Sequence, residues 1–131
     1  MNTLNEISYA VIGAAIRVHT TLGPGLLEST YEKCLVIELQ QAGFSVERQR
    51  SLPLRYRGAV IENAYRIDLM VEGQLVLEWK AVDRLTPLDT AQLLTYLKLS
   101  GLNLGLLLNF NVQRMTAGIK RVINSPSQLR G

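Results

Sequence analysis

Apolar positions at the N-terminal end of the chain recur at helical spacing, and the period then changes to that of strands. Thr3-Leu4-Asn5-Glu6 has the form of a capping box. Ile7, Val11, Ala14, Ala15 and Val18 follow on one helical face, until Leu22-Gly23-Pro24-Gly25 breaks the pattern. The spacing predicts a second helix from about Leu26 to Ala42, with Leu27, Tyr31, Leu35 and Leu39 as its inner stripe and Gly43 just past its end. From Phe44 onward the residues alternate as strands do: Phe44 to Arg50, Leu52 to Tyr56, an Arg57-Gly58 turn, Val60 to Val71, and Gln74 to Ala81. A third helix starts at Thr86, with Pro87 in its first position and Asp89 in its first turn, and ends near Gly101. Leu102 to Phe110 has few polar residues, which predicts a covered strand with parallel pairing. Ile119 to Ile123 reads as a short last strand, since Gly118 precedes it and Val and Ile dominate. The order predicts a single α/β domain over residues 1–131, with a central mixed β-sheet flanked by helices.

Composition narrows the class. The chain has 131 residues and is 47% hydrophobic, enough for a packed core and too apolar for a disordered chain. Met1 to Tyr9 lacks the basic and apolar regions of a signal peptide. The longest apolar run, Leu102 to Phe110, is interrupted by Asn103, Gly105 and Asn109 and is too short to span a membrane. Cys34 is the only cysteine, so the chain cannot form an internal disulfide, and a reducing cytoplasm is the expected location. The net charge is +3. Arg48, Arg50, Arg55, Arg57 and Arg66 fall in one strand-like region, and Lys120, Arg121 and Arg130 load the C-terminal end. The charges alone leave a solvated basic face and a phosphate track equally open.

Chemistry concentrates where Arg66 to Val71 and Gln74 to Lys80 read as a hairpin. Asp68, Glu78 and Lys80 interrupt otherwise apolar runs, and charge in a buried strand is costly unless it is paired or binds a metal. Glu78 and Lys80 share a face, with Leu75, Leu77 and Trp79 on the other. Asp68 is expected with Arg66 and Met70, opposite Ile67, Leu69 and Val71. Register decides whether Asp68 joins Glu78. A two-residue Glu72-Gly73 turn separates the carboxylates, whereas a three-residue loop, Val71-Glu72-Gly73 with Gly73 left-handed, sets them diagonally on one face. We therefore expect an odd-length connection or an equivalent bulge. Two carboxylates supply the hard oxygens that Mg²⁺ or Mn²⁺ prefers, and a neighbouring ammonium suits phosphodiester hydrolysis. Spacing alone leaves an ordinary surface hairpin with a Glu–Lys pair as an equal reading.

Residues elsewhere extend the pattern. Gln92 and Tyr96 are one turn apart on the third helix and share a face toward the hairpin, although a capped amphipathic helix with a half-buried tyrosine accounts for them as well. Glu28 is either a first-turn carboxylate favoured by the helix N-terminus or a third acidic ligand. His19 is expected against helix-end carbonyls, Cys34 near the apolar stripe and Trp79 in the core beneath the hairpin.

Taken together, Gly25-Leu26-Leu27-Glu28-Ser29-Thr30-Tyr31 resembles the signature of the GxxExxY proteins. Val18-His19, Leu22 to Gly25, Asp68, Glu78 to Val82, Ala91 to Lys98 and Asn109-Phe110 fit the same family in order, so that the resemblance spans roughly Ile7 to Ile123. That family looks like a compact branch of the PD-(D/E)xK nuclease superfamily. The resemblance implies a restriction-endonuclease-like α-β-β-β-α-β core and phosphodiester hydrolysis dependent on Mg²⁺ or Mn²⁺. It implies Asp68 and Glu78 as metal ligands, Lys80 as the catalytic lysine and Glu28 as the helix-borne acid. Gln92 and Tyr96 match the QxxxY motif of the recombination-exonuclease branch. Ile67 stands where a proline often precedes the aspartate, and Trp79 where an aliphatic residue is commoner. The implied partner is nucleic acid, DNA in preference to RNA, with no membrane. No added DNA-reading domain is apparent, so a homo-oligomer or a partner protein is expected to supply specificity. A non-catalytic nucleic-acid-binding or regulatory protein on the same fold is the alternative.

Overall fold

The computed structural model describes residues 3–124, and Arg130 and the other terminal residues lie outside them. Thr3 caps α1 (Leu4–Leu22). Its hydroxyl accepts from the Glu6 amide, and the Glu6 carboxylate accepts from the Thr3 amide. In α2 (Glu28–Gln41), Tyr31, Leu35 and Leu39 are buried as the spacing predicts. Leu27 is not: it is the N-cap residue and is 75% exposed, because helical periodicity does not extend to a residue outside the helix. Gly43, at φ +91°, turns the chain so that the Phe44 amide reaches the Leu39 carbonyl.

Three strands follow: β1 (Val46–Tyr56), β2 (Ala59–Val71) and β3 (Leu75–Lys80). Where the sequence suggests two strands before the Arg57-Gly58 turn, there is one. Its interruption is internal, at Gln49, whose φ is +52°. A second irregularity in the β1–β2 pair lies at Pro53, which faces Glu62, Asn63 and Ala64 between the pairs Leu52↔Tyr65 and Leu54↔Ile61. Proline has no amide to donate, so the ladder lapses where it stands.

α3 (Pro87–Ser100) begins at Thr86, whose side chain and that of Asp89 exchange hydrogen bonds with each other's backbone amides. The helix carries the chain across to β4 (Leu104–Asn109), parallel to β3 as expected. A 3₁₀ turn at Met115–Gly118 then leads into β5 (Ile119–Ile123), antiparallel to β4. A Cβ on Gly118 would lie 2.0 Å from the Asn109 carbonyl oxygen, so only glycine allows this return.

The strands lie in the order β1-β2-β3-β4-β5 in one mixed sheet. Its two faces are covered differently. Leu69, Leu75, Leu77, Trp79, Leu104, Leu106 and Leu108 pack with α1 and α2. Leu52, Ile67, Met70, Val76 and Leu107 pack with Leu93, Tyr96 and Leu97 of α3. The result is the single three-layer α/β domain expected, a five-stranded mixed sheet between helices. Trp79 is buried on the α1–α2 side, which leaves Glu78 and Lys80 facing α3.

Candidate active site

The β2–β3 connection has the odd length that the carboxylates require, displaced by one residue from expectation. Val71 pairs with Leu75, so the loop is Glu72-Gly73-Gln74, with Glu72 at φ +54° and Gly73 at φ +63°. Extending the register past Leu69↔Leu77 sets Asp68 directly across from Glu78 rather than diagonal to it. The regular ladder stops there. The Asp68 amide instead donates to Glu78 Oε1 at 3.0 Å, and the Trp79 amide donates to Asp68 Oδ2 at 3.3 Å. Each carboxylate thus satisfies a backbone group of the opposite strand, which lowers the cost of burying it.

Asp68 also marks a departure from simple alternation. Leu69 and Val71 pack against α1 and α2, yet Ile67 packs with Met70 on the α3 side. The expected face shared by Ile67, Leu69 and Val71 is therefore broken: β2 turns over at Asp68. β1 does the same beside it. Val46 lies against the α1–α2 cluster and Leu52 in the α3-side cluster, with the positive-φ Gln49 between them. The turnover directs Asp68 toward the gap where β2 and β3 part.

Burial governs the electrostatics. Glu78 is 5% exposed, and desolvation together with the adjacent Asp68 pushes its carboxyl up to about 9. Asp68 is also raised, chiefly by burial, with Glu32 adding to the shift and Lys80 opposing it. The two side chains therefore compete for ionisation and share a proton when no cation is present. Lys80 Nζ lies 3.8 Å from Asp89 Oδ1, so the ammonium is held at the α3 end of the site. Tyr96 is buried, not half-buried, with its ring edge-on to Tyr65 at 5.7 Å. Burial and the two carboxylates push its hydroxyl up to about 12, which keeps it a proton-bearing donor. Gln92 is exposed and lines a cleft of about 490 Å³ with Tyr65, Lys80, Leu88 and Asp89.

Over residues 5–122 the chain matches the family model of the PD-(D/E)XK nuclease superfamily. The chain belongs to that superfamily. No curated protein and no solved structure matches it. Membership in the PD-(D/E)XK superfamily points to nuclease activity, and nucleases of this superfamily generally use divalent metals.

The donors present fit such an ion. Glu78 is buried and Asp68 partly buried, and both offer hard oxygens whose hydrogen bonds come from backbone amides, which leaves acceptor capacity for a cation. Mg²⁺ commonly takes one or two carboxylates and completes its shell with water and phosphate. Among the described residues no three His, Cys, Asp or Glu side chains gather into one cluster. Glu28 is not brought to the Asp68–Glu78 pair; its Oε2 accepts from the Ala81 amide at 3.2 Å, one residue beyond Lys80. Tyr31 completes this bracing. Its hydroxyl donates to the Gly23 carbonyl at 2.6 Å and accepts from the Leu26 amide at 3.1 Å, and its ring stacks on Phe110 at 4.4 Å. Glu28 and Tyr31 thereby dock the loop before α2 onto the end of β3.

Three residues around the Asp68–Glu78–Lys80 corner are not evident from sequence as site residues. Glu32 is buried on α2 between Arg48 and Gln49 of β1, and its charge acts on Asp68. One turn after Glu28 it reads as an ordinary solvated carboxylate. Asn109, in the Asn109-Phe110 pair, is buried and clamps Val82 through both its amide and its carbonyl. Asp89 both caps α3 and faces Lys80, and the capping pattern conceals the second contact. His19 also differs from expectation. Its Nε2 donates to the Val112 carbonyl at 2.6 Å, a loop after β4 rather than the end of its own helix. Cys34 packs at the edge of the α1–α2 core, partly buried.

Proposed function

We propose that this PD-(D/E)XK protein is a nuclease dependent on Mg²⁺ or Mn²⁺, with the ion held by Asp68 and Glu78. The observation that carries the reading is the reciprocal arrangement of the buried Glu78 and the partly buried Asp68 across the parted strands, with Lys80 on the same side. A divalent ion there would lower the pKa of water and offset charge on a phosphodiester. Lys80 stabilises negative charge developing on the phosphate, or orients the attacking water. Gln92 lies on the cleft wall, placed to contact a phosphate oxygen. Tyr96 packs beneath the site as a neutral phenol against Tyr65. Glu28 fixes the backbone that follows Lys80. The Gly25–Glu28–Tyr31 spacing supports placement in the GxxExxY branch. DNA is the favoured substrate over RNA, in a reducing cytoplasm, with specificity supplied by a second copy or a partner protein.

Calorimetric titration with Mn²⁺ tests the site. Wild-type protein should bind the ion, while Asp68→Ala and Glu78→Ala should not. Lys80→Ala should retain binding and lose cleavage across a panel of labelled DNA and RNA substrates. Wild-type protein that neither binds a divalent ion nor cleaves any of them would refute the proposal.

A further inference from the structure

Beyond the sheet's covered area, β1 and β2 continue as a two-stranded arm. Residues 50–66 carry Arg50, Arg55, Arg57 and Arg66 against the single acid Glu62, so this segment holds a net charge of +3, equal to that of the whole chain. Arg50 lies near Glu47, but among the described residues Arg55, Arg57 and Arg66 have no carboxylate within ion-pair distance. The rest of the molecule is balanced, and its cationic excess is concentrated here.

The arm also has a sidedness. Leu52↔Tyr65, Leu54↔Ile61 and Tyr56↔Ala59 project on one side, alternating with Ser51↔Arg66 and Arg55↔Val60 on the other. The first set begins inside the α3-side core, where Leu52 is buried and Tyr65 packs against it, and then runs out past the end of the helix. There it becomes exposed: Ile61 is 47% and Tyr56 63% accessible. Tyr65 at its inner end lines the same cleft as Lys80 and Gln92. An aromatic and aliphatic stripe thus leads from the tip of the arm into the candidate active site. A ribbon two strands wide is narrow enough for long arginine side chains to reach round its edges.

We propose that this face of the β1–β2 arm binds single-stranded nucleic acid and feeds it to the Lys80 cleft. Unpaired bases stack on Tyr56 and over Leu54 and Ile61, while Arg55, Arg57 and Arg66 bind the phosphates. Arginines alone would suit any polyanion. The exposed apolar stripe, whose edges they reach round to, selects a ligand with accessible base faces, which a duplex keeps internal. The assignment of the cleft as the point of cleavage rests on the nuclease reading above; the binding surface does not.

Fluorescence anisotropy with a labelled 20-nucleotide single strand and the matching blunt duplex, in EDTA and over a range of salt, separates the two. The wild-type chain of 131 residues should bind the single strand more tightly. Tyr56→Leu should weaken that binding about tenfold while Tyr56→Phe leaves it unchanged. Arg55→Gln with Arg57→Gln should reduce the salt slope by about 1.4, two phosphate contacts on a single strand. Circular dichroism melts check that the variants remain folded. Equal or tighter duplex binding, absence of nucleic-acid binding by the wild type, or folded arm variants with unchanged affinity and slope would overturn the arm proposal, even with Mn²⁺-dependent cleavage intact. Conversely, arm variants that weaken binding in a protein that never cleaves would uphold it and sink only the nuclease reading.

Discussion

In the absence of divalent ions this protein should become progressively less stable as pH rises, and Glu78→Gln should abolish that dependence. Glu78 and Asp68 both have folded-state pKa values above their unfolded ones, Glu78 at about 9. A raised carboxyl binds a proton in the folded state that the unfolded chain has already released. The stability associated with it is complete below about pH 4 and is lost as pH rises through the folded value. Between pH 6 and 8 the unfolded chain ionises both groups while the buried pair retains about one proton. The slope depends only on that proton: roughly 1.4 kcal/mol per pH unit, or about 3 kcal/mol across the interval. For a chain of this size the loss lowers Tm by about 10 °C. In the Glu78→Gln variant the new carboxamide would still accept from the Asp68 amide through its carbonyl oxygen and would have an N–H to offer the Asp68 carboxylate, so the fold is preserved and the proton requirement disappears. In EDTA, melts followed by circular dichroism should show the wild type falling from pH 6 to 8 and Glu78→Gln nearly flat, with the variant the more stable at pH 8. Saturating Mn²⁺ at about a hundred times its Kd should restore the wild type by roughly 3 kcal/mol and leave the variant unchanged. Parallel pH profiles for the two proteins in EDTA would refute the shared-proton account.

Other residues give separate tests. Tyr31→Phe keeps the stack on Phe110 but removes both hydrogen bonds of the hydroxyl, and should cost about 1–3 kcal/mol in urea denaturation. Gly118→Ala drives a methyl group into the Asn109 carbonyl and should cost about 1–3 kcal/mol or prevent folding; a variant as stable as wild type would contradict the close approach. Asp89→Asn keeps a cap acceptor for Thr86 but leaves Lys80 without its carboxylate. It should lower kcat roughly threefold to tenfold with KM unchanged and stability altered by less than about 1 kcal/mol, and an unchanged kcat would remove Asp89 from the positioning of Lys80.

Much of the frame was readable because local physics decided it. Thr3 and Thr86 announce their helices, since a cap needs an acceptor at one place and the partner carboxylate three residues on. Leu102 to Phe110 read as a covered strand because burial on both faces erases alternation, and β4 lies within it, parallel to β3. The odd connection after Val71 was legible as a requirement of the carboxylates, though not to the residue. What escaped depends on contacts distant in sequence. Glu32 is drawn inside only because Arg48 and Gln49 arrive from another element. Gln49 bears no mark of its positive φ, so the irregularity inside β1 cannot be read from the sequence.

The turnover of β2 was equally hidden, and it accounts for how the sheet tolerates its acids. In an unbroken ladder the Asp68 and Trp79 amides would be paired with backbone carbonyls. Both carboxylates would then enter the apolar layer beneath α3 with no donors of their own. Parting the strands frees those amides, and each is taken by the carboxylate from across the gap. The same lapse that removes two ladder bonds thus supplies one charge-assisted bond to each acid and holds the pair in register. It leaves their net charge unmatched except by Lys80, which is itself shared with Asp89. Hydrogen bonding can fix two buried carboxylates in place without neutralising them, and that remaining imbalance is what a divalent ion would correct.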